Sequence, residues 1–190
     1  MGRVSQTQAQ ENRQRVVEIA SRLFREQGTH VSVADLMKAA GLTHGGFYKQ
    51  FASKAALVDE ATTHAFGELA GLHTAGLERH AGQREAAQRE LIDTYLSVGH
   101  RDNAADGCPA AGLAGDLGRA AGPQEAHRVY AAGVRAFADA LATEDQEGIT
   151  RLCTMLGALV LARATKDSPI SEEILTTARA ALTTASTGPA

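Results

Sequence analysis

The sequence predicts an all-α fold, and three observations carry that prediction. Apolar residues recur at three- and four-residue spacing along most of the chain, and no segment alternates apolar and polar residues for long. Nineteen glycines, abundant alanine and only four prolines suit closely packed helices. Hydrophobic residues at 44% against 22% charged, over 190 positions, make a folded chain rather than a disordered one. That length accommodates a small domain joined to a larger one.

Val16, Ile19, Ala20, Leu23 and Phe24 form the first amphipathic stripe, closed by Gly28. Ser32 precedes Val33, Leu36, Met37 and Ala40. Its side chain can accept from the free amides of a second helix, with Asp35 completing a capping box. Gly41 breaks that helix after two turns, and Thr43 can cap a third, short one that buries Phe47 and Phe51. Ser53 opens a long fourth helix through Leu57, Val58, Ala61, Ala65, Leu69 and Leu72. Gly67, Gly71 and Gly76 weaken it by about 1 kcal/mol each, so its end falls anywhere from Gly71 to Ala81. Ala87, Leu91, Ile92, Tyr95 and Leu96 mark a fifth helix ending near Gly99, and His100 to Gly107 reads as a loop. Pro109 suits the first turn of a short helix running to about Ala121, before the break at Gly122 and Pro123. Three stripes follow: Tyr130, Val134, Phe137 and Leu141; then Leu152, Met155, Leu156, Leu159 and Val160; then Ile170, Ile174, Leu175, Ala178 and Leu182. The tail after Ala185 reads as frayed.

The net charge of −3 hides an asymmetry. Residues 1–54 hold eight basic and four acidic side chains, a net +4, whereas the other 11 basic and 18 acidic residues give −7. A basic head on an acidic body suits contact between the head and a polyanion. No apolar run approaches the ~18 residues of a membrane span, and the first dozen residues lack the apolar core of a secretory signal. A cytoplasmic protein with no membrane partner is expected. Cys108 and Cys153 are too few for a disulfide framework. Neither they nor His100 and His127 have metal-like spacing, so no metal or other cofactor is expected.

The informative stretch is Val31 to Leu57, VSVADLMKAAGLTHGGFYKQFASKAAL. It reads as a two-turn helix, a tight turn at Gly41, and a second short helix, with Leu36, Leu42 and Phe47 meeting inside the corner. A helix-turn-helix presents its second helix to the DNA major groove. The candidate contacts are Ser32, Thr43, His44, Gly45, Gly46, Tyr48, Lys49 and Lys54. Thr43 can hold a phosphate, Gly45 and Gly46 let the duplex approach, and Tyr48, Lys49 and Lys54 reach flanking phosphates. His44 is the best-placed long side chain for a base edge or a phosphate.

These residues resemble the TetR-type one-component transcriptional regulators. The family's pattern is present as Ala40, Gly41, Leu42, Thr43, Gly45, Phe47, Tyr48, Phe51 and Lys54, with Gln50 where histidine is more usual. Gly46 leaves one recognition position without a side chain, so the operator sequence is not legible. The resemblance implies an all-helical homodimer that binds a palindromic double-stranded operator, more often as repressor than activator. It implies a three-helix DNA-binding domain over residues 1–53 and a helical ligand-binding and dimerisation domain over 54–190. The connector after Lys54 would set the spacing of the two recognition helices. The last two helices would pair across subunits through Leu152, Leu156, Leu159, Ile174 and Leu182, with Gly157, Ala158 and Ala162 allowing close approach.

The effector is read from Gly107-Cys108-Pro109-Ala110. With Pro109 opening a helix, Cys108 sits at its N-cap, where the dipole favours a thiolate. A partly exposed thiol of lowered pKa there would sense an oxidant or electrophile, as in TetR-type regulators that the segment resembles. Tyr95, Tyr130 and Phe137 are the accompanying candidates for the pocket. The alternative is a small apolar metabolite bound non-covalently, with Cys108 structural. Cys153, on a helical stripe, reads as core. An all-helical enzyme would need convergent acid–base or nucleophilic groups, whereas the carboxylates here fall mostly on solvated faces. A scaffold without DNA binding is opposed by intact Thr43, Tyr48 and Lys54.

Overall fold

A computed structural model describes residues 6–119, 124–144 and 146–184. The described residues form helices with no strand: α1 (Gln6–Gln27), α2 (Val33–Ala39), a 3-10 segment (His44–Lys49), α3 (Lys54–Arg79), α4 (Arg84–Tyr95), α5 (Val98–Asp102), α6 (Pro109–Arg119), α7 (Gln124–Leu141), α8 (Gly148–Ala164) and α9 (Ile170–Thr184). None of these helices is long and apolar enough to cross a membrane. The expected end of α6 near Ala121, and the tail after Ala185, lie outside the described residues.

Local chemistry explains the helix starts. The Asp35 amide donates to Ser32 Oγ at 3.1 Å, and the Ala56 amide donates to Ser53 Oγ at 3.1 Å. Each cap contributes about 1 kcal/mol. Gly41 has φ +70°, a left-handed conformation that glycine adopts without strain, and it turns the chain from α2 into the recognition segment. That segment is a 3-10 helix, and Thr43 at its N-cap position makes no side-chain capping bond. Phe47 is buried within it and stacks on Phe51, just past its end, at 5.4 Å between ring centroids.

Two cores organise the chain. The first gathers Val16, Ala20 and Phe24 of α1, Leu36 and Met37 of α2, Phe47, Phe51, and Leu57, Val58 and Ala61 of α3. Leu113 and Leu117 of α6 and Ala126 of α7 join it, so the N-terminal unit packs directly on the body and its core runs past residue 53. The second collects Phe66, Ile92, Tyr95, Leu96, Cys108, Phe137, Leu141 and the inward faces of α8 and α9. A fully buried side chain of this kind contributes roughly 1.5–3 kcal/mol.

Three expectations are corrected. The stretch His100 to Gly107 is not all loop, because its first residues complete α5. Leu152, Leu159 and Leu182 are at most 2% exposed within one subunit, and Leu156 and Ile174 pack on the margin of the same core. The stripe assigned to dimerisation therefore fills the subunit's own interior, as do Ala158 and Ala162. The outward apolar residues of α8 and α9 are instead Ile149, Val160, Leu161 and Ile170, each about half exposed. Cys153, expected in the core, is exposed on α8.

Candidate nucleic-acid interface and effector cavity

One face of the helix-turn-helix corner is exposed among the described residues. Ser32, Thr43, His44, Gly45, Tyr48 and Lys49 are exposed, and Gly46 is partly so. Tyr48, 67% exposed, stands edge-on to Phe47 at 5.1 Å and to His44 at 6.3 Å. An exposed tyrosine set against a buried neighbour suits contact with a phosphate backbone. The Ser32 hydroxyl is engaged in its cap and donates to the Asp35 carboxylate at 2.6 Å. Lys54 is half-buried at the start of α3. Desolvation draws its pKa down while Asp116 of α6 opposes that shift, so it sits on the border between the two units.

Arg13 was not singled out by the sequence reading, yet it braces this corner. Its guanidinium lies 4.8 Å over the Phe51 ring, donates to the Gln50 carbonyl at 3.3 Å and pairs with Glu60 at 2.6 Å. It thereby ties α1 to the end of the recognition segment and to α3.

In the body, a cavity of about 780 Å³ opens between α3, α4 and the chain entering α6. Its wall is mainly apolar, with Leu69, Leu72, Leu91 and Pro109, and both Cys108 and Tyr95 line it. Tyr130 and Phe137 do not. The Tyr130 hydroxyl donates to the Ala110 carbonyl at 2.7 Å, and Phe137, 1% exposed, lies behind His73 in the core. Both were expected in the pocket because helical periodicity cannot separate a cavity wall from the layer behind it.

Cys108 is only 4% exposed, which corrects the expectation of an exposed, acidified thiol. Burial pushes its pKa up. The Tyr95 hydroxyl, the amides of Ala111 and Ala110, and the Arg163 charge all act the other way but do not overcome it. The helix-start geometry expected from Pro109 is present, and desolvation outweighs it. The buried Tyr95 hydroxyl makes no well-formed hydrogen bond among the described residues.

His100 holds this region together. Its Nδ1 lies 2.7 Å from the Tyr95 carbonyl, while its Nε2 accepts the Cys108 amide at 3.1 Å. That pairing requires the neutral ring with its proton on Nδ1. Burial lowers the His100 pKa accordingly. Arg163 donates to the carbonyls of Arg101 and His100 at 3.1 and 3.0 Å, closing the end of α5.

Arg25 was also missed, and it joins the two sites. It is 7% exposed, belongs to α1 of the N-terminal unit, and lines the cavity. It donates to the Ser21 carbonyl at 3.1 Å, to the Gly107 carbonyl at 3.2 Å and to Glu68 at 2.9 Å. The available signal was its register, since Val17, Ser21 and Arg25 share a face at four-residue spacing. Nearby, the Thr29 amide donates to the Asp116 carboxylate.

Residues 16–61 match the family model described as bacterial regulatory proteins, tetR family. The HTH-type transcriptional regulator AcrR of Shigella flexneri is 31% identical over 93 residues, 48% of this chain and 43% of that relative. The aligned region thus spans less than half of the relative's length. A TetR transcriptional regulator from Chloroflexus aurantiacus superposes with a TM-score of 0.71 at 21% identity, over 94% of this chain and 95% of that one. The reduced form of NemR from Escherichia coli gives 0.67 at 19% identity, over 90% and 95%. Likenesses at that identity establish the shared fold. The chain thus matches the tetR family of bacterial regulatory proteins in sequence over residues 16–61, and shares the fold of solved TetR regulators over nearly its whole length.

Proposed function

We propose that this chain is a homodimeric transcriptional repressor that binds a palindromic operator and releases it when a small, largely apolar molecule enters the cavity beside Cys108. The observation that carries this reading is Arg25. A side chain from the first helix of the DNA-binding unit forms part of the cavity wall and is bonded to the residue before Cys108. A molecule that displaces the Gly107–Cys108 segment therefore acts on α1 through one side chain. A ligand shifts such an equilibrium only by its difference in affinity for the two states, about 5.5 kcal/mol to move 1:99 to 99:1.

A second reading, covalent modification of Cys108, is favoured by one observation. Cys108 lines the cavity, so an electrophile small enough to enter meets the sulfur, and the amides of Ala110 and Ala111, Tyr95 and Arg163 partly offset the burial that raises its pKa.

The test is a mobility-shift titration against DNA flanking the chain's own gene, repeated at rising salt. Specific binding that weakens steeply with salt is expected. Tyr48→Ala and Lys49→Ala should weaken all sequences alike, since phosphate contacts carry no base information. No salt-sensitive binding to any selected DNA overturns the proposal. Adding a quinone or an aldehyde to wild type and to Cys108→Ser then separates the readings. Release lost in Cys108→Ser is the covalent route; release retained is the non-covalent one.

A further inference from the structure

A second cavity, of about 610 Å³, lies at the far end of the body between the start of α4, the chain joining α7 to α8, and the end of α9. Its character differs from that of the Cys108 cavity. Arg84, Arg89 and Arg151 line it, over an apolar floor that includes Ile92 and Leu182.

Arg151 is the unusual member. It is 4% exposed, its Nε makes no hydrogen bond, and its Nη1 has one long bond, 3.3 Å to the Gln146 side chain. No carboxylate among the described residues pairs with it, although Glu85 and Glu144 also border the cavity. Arginine cannot escape burial by losing its proton at neutral pH, as lysine can. An uncompensated guanidinium in the interior is strongly unfavourable and is ordinarily matched by an anion. Arg89, exposed on the rim and without an ion-pair partner among the described residues, adds a second positive group lining the same space.

We infer that this cavity is a binding site for a small organic oxyanion, a carboxylate or phosphate whose charged head pairs with Arg151 and whose body covers Ile92 and Leu182. The volume exceeds that of a single inorganic ion and falls within the range of small-molecule sites. A planar guanidinium whose Nε is unbonded, and whose Nη1 makes only one long bond, retains donors for the two-pronged geometry of an oxyanion. The site shares no lining residue with the Cys108 cavity, so it stands independently of the operator-release proposal.

The experiment is thermal unfolding of the full chain in chloride, with chloride partly replaced by phenyl phosphate or by benzoate at constant ionic strength. Wild type should gain roughly 5–10 °C in Tm at a hundredfold excess over Kd of the preferred anion. Arg151→Met should be no less stable than wild type in chloride, because an unpaired charge is gone, and should lose the response. Arg89→Ala, an exposed position, should fold normally and respond less. The proposal is overturned if wild type responds to neither anion, or if Arg151→Met responds as wild type does. Should Arg151→Met fail to fold, an undiminished response in Arg89→Ala overturns it equally.

Discussion

Around Cys108, helix amides and desolvation act in opposite directions on one sulfur. The amides of Ala110 and Ala111 favour the thiolate, as the Pro109 signal implied, but 4% exposure removes the water that would otherwise solvate it. His100 is held neutral for the same reason, and its accepting Nε2 cannot bear a proton while the Cys108 amide donates to it. Burial depresses the pKa of both His100 and His73 below the ordinary 6.5. Between the folded-state value and 6.5 the unfolded chain binds more protons than the folded one. Stability is therefore level above that window and falls as pH drops through it. Lowering pH from about 7.5 to about 5 should reduce the midpoint of urea unfolding. His100→Gln, neutral throughout, should start less stable but lose less over the same range. An equal loss in both proteins would exclude His100 as the titrating group.

The helices divide by which of their faces the subunit uses. On α8, Leu152, Met155 and Leu159 point inward while Ile149, Val160 and Leu161 point outward. A buried leucine and an exposed one, two positions apart, should then behave differently. Leu159→Ala removes volume from a packed core and should cost about 2–5 kcal/mol in chemical denaturation. Leu161→Glu should leave the unfolding of the isolated subunit within about 0.5 kcal/mol. In the proposed dimer, however, it puts an unpaired charge in the seam, so sedimentation should show monomers and operator binding should fail. A Leu161→Glu protein that stays dimeric places the interface elsewhere. The apolar repeat identified α8 as a helix but not its outer face, because Leu156, Leu159 and Val160 satisfy the same periodicity while differing in exposure.

In the molecule as a whole, α6 is the element shared by both sites. Its first turn lines the cavity at Pro109, its middle buries Leu113 and Leu117 in the N-terminal core, and Asp116 accepts the Thr29 amide beyond the end of α1. Gly112 makes this contact close, since a Cβ there would lie 3.0 Å from both the Arg25 Cα and the Arg25 carbonyl oxygen. Backbone atoms cannot yield cheaply, so Gly112→Ala should lower unfolding stability by about 1–3 kcal/mol despite the higher helix propensity of alanine. A stabilised Gly112→Ala variant would mean that α6 and α1 are more loosely joined than these distances imply.

Local pattern determined much of this protein. The capping serines at 32 and 53, the glycine at 41 and the Phe47–Tyr48–Phe51 run define a helix-turn-helix because turn chemistry and periodicity act over a few residues. The helical class and the apolar stripes followed on the same grounds. Which charged residues lie inside was decided only by tertiary packing. Arg13, Arg25 and Arg151 look alike in the sequence, yet one braces the recognition segment, one joins the cavity to α1, and one stands buried with no carboxylate partner among the described residues. The thiol's condition was likewise unreadable from Gly107-Cys108-Pro109, because desolvation depends on residues brought in from α4, α5 and α8. Helix starts and turns are set by bonds between near neighbours, whereas burial is a property of the assembled layers.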